Sequence, residues 1–161
     1  MDAPEAKRRY AEKVKICGQD PYSIPTVDTE VPLNVNFQSI YKFMVLDSNP
    51  FTGKAKDSSR GMEANLWYQQ GWVKKVSGKK LGNIFVVHGQ VLHSFNLRQK
   101  PLNPWLIIED NGCVLAAHCD CAIGLLETCS HIGAILYALE DIEKKVAAKE
   151  VCFSLFSWYL K

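Results

Sequence analysis

The chain has 161 residues, a length that fits one domain. It is 47% hydrophobic and 11% aromatic with four Trp, which is enough to fill a core and excludes a disordered tail protein. Nineteen basic against seventeen acidic residues leave +2, which excludes a histone-like polycation and requires any nucleic-acid contact to come from a local patch.

The sequence has no apolar run of about 18 residues, so no membrane partner is expected. Residues Met1–Lys15 carry no apolar core of the kind a secretory signal needs, which gives the expectation of an intracellular chain, nuclear or cytoplasmic. Charge is uneven. Residues 1–60 sum to +1, residues 61–118 to +3 and residues 119–161 to −2, so the middle is the cationic part.

Asp2 to Ile16 is predicted as a short helix. Asp2 suits its cap, Pro4 its first turn, Tyr10 and Val14 share a face, and Gly18 ends it. Residues 19–36 hold Pro21, Pro25 and Pro32 and are read as an extended segment wrapping a surface. Ile40 to Leu46 suits a short helix or a strand, broken by Asn49-Pro50-Phe51-Thr52-Gly53. Met62 to Gln70 is read as a helix capped by Ser58 or Ser59, with Gly61 against it.

From Gly71 the pattern turns to strands. Trp72–Ser77 is the first, Gly78–Gly82 a turn, and Ile84–His93 a long second strand whose apolar run places it centrally. Pro101 and Pro104 bracket a loop, Trp105–Glu109 is the third strand, and Val114–Cys119 the fourth. Between them Asp110-Asn111-Gly112 predicts a two-residue hairpin with two positive φ values. Ile132, Ile135, Leu136, Leu139, Ile142 and Val146 then mark one helical face. Residues 150–161 are apolar and end abruptly, which suggests a fragment whose continuation lies beyond Lys161.

The expected class is α+β: a small antiparallel β-meander with a metal knuckle and a C-terminal helix packed on the sheet, plus an N-terminal helical and irregular segment. Residues 1–60 form the N-terminal helix and wrap, residues 61–161 the metal-binding domain, and the two make one compact unit.

Six Cys in a chain of expected reducing compartment read as metal ligands before disulfides, and three of them lie within 119–129. Cys119, Cys121, Cys129 and His131 stand as C-x-C-x7-C-x-H, three thiolates and an imidazole suited to tetrahedral Zn2+. In a strand, residues i and i+2 lie about 6.5 Å apart on one face, too far for two sulfurs each about 2.3 Å from one zinc. The strand must therefore curl at Asp120, with Cys119 ending it and Cys121 in the turn. In a helix, i and i+2 face apart, so Cys129 precedes the helix and His131 enters its first turn, with Gly124 letting the loop fold back. Four protein ligands leave no open position, so the site is structural.

The bland alternatives are a chance cluster of buried thiols or a redox dithiol, and Cys-x-Cys is too short for the usual C-x-x-C. His118 lies on the opposite strand face from Cys119 and is left out. Cys113 and Cys152 read as buried or free thiols, and His88 and His93 have no partners nearby in sequence.

Cys119-Asp120-Cys121 and Cys129-Ser130-His131, preceded by a hairpin and followed by an apolar helix, resemble a SWIM zinc finger. Pro104-Trp105-Leu106-Ile107, Ala116-Ala117-His118, Gly124-Leu125 and Glu127-Thr128 resemble a group of animal SWIM proteins, as do Arg9-Tyr10, Asp20-Pro21-Tyr22-Ser23-Ile24-Pro25 and Gly71-Trp72-Val73-Lys74. Residues 54–61 depart from the pattern. In that group the SWIM region commonly precedes a nuclease of the lambda-exonuclease (YqaJ) type, of mobile-element or viral-recombinase flavour. The resemblance implies a SWIM-type zinc-binding domain over 61–161 and suggests DNA or protein binding, accessory to a following nuclease.

Lys74, Lys75, Lys79 and Lys80 around one predicted turn, with Arg98 and Lys100 in the next loop, form the candidate nucleic-acid patch. The plainer reading is a solubilising strand edge. A protein-interaction domain docking through the apolar end, Phe153 to Leu160, is the second reading. An enzyme is not expected: ligation removes the best Cys nucleophiles, and there is no phosphate-binding Gly loop, no G-x-S-x-G and no small-molecule substrate site in view.

Overall fold

Apolar and β-branched residues alternate or run continuously between residues 73 and 118, and this stretch forms the sheet. The computed structural model describes residues 3–93 and 98–159, without the side chains of Arg60 and of residues 151–159. Four antiparallel strands, β1 (Val73–Leu81), β2 (Ile84–Val91), β3 (Trp105–Glu109) and β4 (Val114–His118), lie in the order β1-β2-β3-β4. The protein is therefore mixed α+β with a simple meander.

Residues directly opposite in an antiparallel pair share a face. Val86 pairs with Ile107 and His88 with Trp105, while Val87 pairs with Leu106 and Phe85 with Ile108. The two sets face opposite ways. β3 is buried on both faces from Trp105 to Ile108, which explains its unbroken apolar run.

Helix α1 (Ala3–Cys17) covers one face, where Ile84, Trp105, Ile107 and Ala116 pack with Tyr10, Cys17 and Leu81. Gly18, at φ +79°, closes the helix with its amide on the Val14 carbonyl. The proposed Asp2 cap lies outside the described residues. The segment after it wraps the same side: Pro21–Ser23 form one tight turn, and Val27 pairs with Gly78 at the free edge of β1.

On the other face lies the long helix α5 (Ser130–Tyr159). Residues 131–140 are all buried, beyond the single face that the periodicity outlines, because short helices cover its far side. These are α2 (Phe37–Tyr41), which runs on through a π-helical turn over Lys42–Leu46, α3 (Ser59–Met62) and α4 (Asn65–Gln69). Val31, Val35, Ile40, Phe43 and Met44 belong to the same core cluster as Val87, Leu106, Ile132 and Leu136, so residues 1–60 share the core of the rest. At Gly133, α5 passes close to α3: a Cβ there would stand 2.5 Å from the Gly61 carbonyl oxygen.

Four expectations are corrected. The Gly78–Gly82 turn is strand: β1 continues to Leu81 and the turn is Gly82-Asn83. Gly78 is needed for close approach, since a Cβ there would meet the Glu30 carbonyl oxygen at 2.3 Å. The 110–112 hairpin is a three-residue loop, with Gly112 alone at positive φ (+91°), its amide on Glu109 O and Glu109 N on Cys113 O. The single helix over Met62–Gln70 is two short ones, α3 capped by Ser58 and α4 starting at Asn65. The second strand stops at Val91 rather than His93.

Candidate metal centre

β4 ends at His118, the chain curls through Cys119 to Cys121, and Ser130 starts α5. This path carries the four proposed ligands to one point. The sulfurs of Cys119, Cys121 and Cys129 and a ring nitrogen of His131 all lie within 4.8 Å of one another, so the group could hold a metal ion. Ligand atoms on a tetrahedron of about 2.3 Å radius stand about 3.8 Å apart, and Cys119 Sγ is 3.8 Å from His131 Nδ1. Cys119, Cys129 and His131 are buried and Cys121 is half-buried.

The electrostatics suit a cation. Cys121 accepts from Cys119 and then Cys129, which holds its thiol far below the ordinary value; the same contact and burial push Cys119 far above it. Cys129 is lowered by its contact with Cys119, but Cys121 and burial outweigh this and push it up to about 12. Three thiols this close cannot all ionise unaided, and a divalent ion removes that conflict. Nδ1 of His131 faces the sulfurs. Its Nε2 is buried without a hydrogen-bond partner among the described residues, beside Trp67 (5.6 Å between ring centroids) and His93 (6.1 Å).

The loop between Cys121 and Cys129 folds back, as the sequence requires. A Cβ on Gly124 would lie 1.8 Å from the Cys119 carbonyl oxygen, so only glycine fits there. Thr128 O accepts the Ser58 hydroxyl at 3.1 Å, tying the start of α5 to the cap of α3.

His118 stands apart from this group. Its ring stacks on Trp105 at 5.4 Å, its Nε2 pairs with Asp120 at 2.8 Å, and burial and then Lys13 hold it below the ordinary histidine range. His88 Nε2 lies 2.7 Å from the Pro21 carbonyl, so it fastens the wrap. Cys113 is half-buried with no disulfide, and the Cys152 side chain lies outside the described residues, as do those of the apolar end from Phe153.

Residues that sequence reasoning missed stand behind the knuckle. Glu127 is 0% exposed and holds φ +63°. Arg9 and Lys13 of α1 reach it, and burial lowers Lys13 to about 8 against the pull of Glu127. Lys56 also falls to about 8 through burial, its Nζ 3.5 Å from the centroid of the Phe43 ring. Lys7-Arg8-Arg9 reads as a solvated face in sequence, and only a lone acid in an otherwise apolar loop signals Glu127.

The six candidate nucleic-acid residues do not form one cluster. Lys74, Lys75, Lys79 and Lys80 all lie within β1, not around a turn. Lys75 and Lys79 pair opposite Gln90 and Val86, on the α1 side, whereas Lys80 pairs opposite Phe85, on the α5 side. Lys79 is joined to Glu30 at 3.5 Å. Arg98 and Lys100 are exposed in the β2–β3 loop, beside the strand ends where β1 begins.

Comparison with protein-family models, curated proteins and solved structures finds no match for this chain. Among the described residues no helix is long and apolar enough to cross a membrane.

Proposed function

We propose that the chain is a zinc-stabilised recognition module of SWIM type in which the ion is structural. The observation that carries this is the closed Cys119–Cys121–Cys129–His131 set, whose ligand atoms lie within 4.8 Å of one another. Three soft sulfurs and one imidazole favour Zn2+ over harder ions, and four protein ligands leave no position for substrate. Binding of such an ion, on the order of 10 kcal/mol, is folding free energy. No enzymatic activity is assigned to this chain.

The module's role is in nucleic-acid recognition, with DNA as the partner and a nuclease as the domain it serves. The resemblance of Cys119-Asp120-Cys121 and Cys129-Ser130-His131 to SWIM fingers supports this, and so do the exposed Lys74, Lys75 and Lys80 on an edge strand. Fluorescence anisotropy with single- and double-stranded DNA at two salt concentrations tests it. Binding that weakens with a log–log slope of about −0.7 to −0.9 per phosphate contact is expected. No binding at low salt, or a flat salt response, rejects it.

A protein-binding module is the second reading. Leu33, Phe37 and Tyr41 are all exposed, with the Phe37 and Tyr41 rings stacked at 6.3 Å. Sedimentation that depends on concentration, and ceases to do so in Phe37→Ser, favours it over DNA.

A further inference from the structure

The metal ligands close one gap, between Cys119 after β4 and Cys129 before α5. A second tie spans the same gap two residues earlier on each side. The amide of Ala117 donates to Glu127 Oε1 at 3.1 Å. Arg9 grips the same carboxylate with Nε (3.0 Å to Oε2) and Nη2 (3.1 Å to Oε1). Lys13 Nζ stands 3.9 Å from Oε1 and donates to the Ala117 carbonyl at 2.8 Å.

β4 is an edge strand, and both main-chain groups of Ala117 are thus taken by the Glu127–Lys13 pair instead of by a fifth strand. The carboxylate is fully buried, and its partners across the gap are the Arg9 and Lys13 side chains of α1. Glu127 also holds a left-handed φ, which a non-glycine residue keeps only where its surroundings fix it.

We infer that Glu127 is a positioning residue for the metal centre: held by Arg9 and Lys13, it sets the 120–129 loop so that Cys129 and His131 meet Cys119 and Cys121. The inference rests on the zinc reading above. Two ties across one gap support each other, because each removes freedom that the other must otherwise fix. The coupling is reciprocal: zinc tightens the docking of α1, and docked α1 tightens zinc. Groups that orient metal ligands by direct hydrogen bonds commonly change metal affinity 10- to 100-fold, and Glu127, acting through the loop, is expected to act on that scale.

The test uses the full chain and two variants outside the ligand set, Glu127→Gln and Arg9→Ala. Zinc affinity is measured by competition with a chromophoric chelator. Amide hydrogen exchange of α1 and of β2 is followed with and without chelator. Each variant is expected to retain one zinc per chain and to release it about 10- to 100-fold more readily. In the unaltered chain, chelation is expected to lower protection in α1 by a larger factor than in β2. Affinities within about twofold of the unaltered chain in folded variants, or α1 exchange that changes no more than that of β2, overturn the inference. Should Arg9→Ala fail to fold, Glu127→Gln and the exchange of the unaltered chain decide. An unaltered chain without zinc overturns the zinc reading and this inference with it; one zinc with unmoved variants overturns this inference alone.

Discussion

The two edges of the sheet use charge in opposite ways. At the β4 edge, charged and candidate metal-binding groups are buried or half-buried and held together: Glu127 by Arg9, Lys13 and the Ala117 amide, and the three Cys and His131 within 4.8 Å of one another. At the β1 edge, Lys74, Lys75 and Lys80 are exposed, and the half-buried Lys79 has the partly exposed Glu30 as its partner. Burial multiplies the value of each contact at the first edge and the cost of losing it, while water and salt screen the second. Substitutions at β4 should therefore act on the fold, and those at β1 on binding.

The largest effect belongs to the ligands. Cys121→Ser or His131→Ala removes one of four, frees the start of α5 and should cost more than about 4 kcal/mol, in the tail of single-substitution effects. Chemical denaturation of each variant beside the unaltered chain checks this. Unchanged midpoints would mean that the ion is not structural.

Next comes Gly124→Ala. The new Cβ would stand 1.8 Å from the Cys119 carbonyl oxygen, a backbone atom that cannot rotate away. A loss of about 3 kcal/mol is expected, with weaker metal retention, both measurable in one chelator-dependent melt. A variant that melts, and loses its metal to chelator, as the unaltered chain does would remove Gly124 from the knuckle.

A smaller effect depends on pH. Lys13 sits near 8 when folded and near 10.5 when free. Between those values the unfolded chain binds more protons, so stability rises with pH, and the cost of burying the charge is fully present below pH 8. From pH 7 to pH 10 the unaltered chain should gain about 2 kcal/mol relative to Lys13→Met. Parallel pH profiles for the two would contradict the buried-charge description.

The smallest effect on stability lies at the other edge. Lys74→Ser, Lys75→Ser and Lys80→Ser together should change stability by less than about 0.5 kcal/mol while lowering the salt slope of DNA binding by up to about 3. A large loss of stability would mean that this edge also holds the fold.

The same contrast separates what is legible in the sequence from what is not. β3, β4 and the start of α5 follow from local periodicity, and the grouping of Cys119, Cys121, Cys129 and His131 follows from residue type and spacing, so these are legible. Gly78 reads as a turn in sequence because its reason, the Glu30 carbonyl 2.3 Å from any Cβ, lies 48 positions away in the chain. Asn111 suggested two positive φ values, whereas its side chain instead accepts the Cys113 amide at 2.9 Å and only Gly112 turns over. Glu127 does not stand out in sequence because its partner Arg9 is 118 positions distant and looks like a surface charge. The lysines of β1 are neighbours in sequence, but strand alternation sends adjacent residues to opposite faces.

The most direct measurement is the zinc content of the purified, never-chelated chain, taken with mass-spectrometric alkylation of its thiols. One zinc per chain, with Cys119, Cys121 and Cys129 protected until chelator is added and Cys17 and Cys113 modified first, is the predicted result. A metal-free chain whose three clustered thiols alkylate as fast as Cys17 would contradict it.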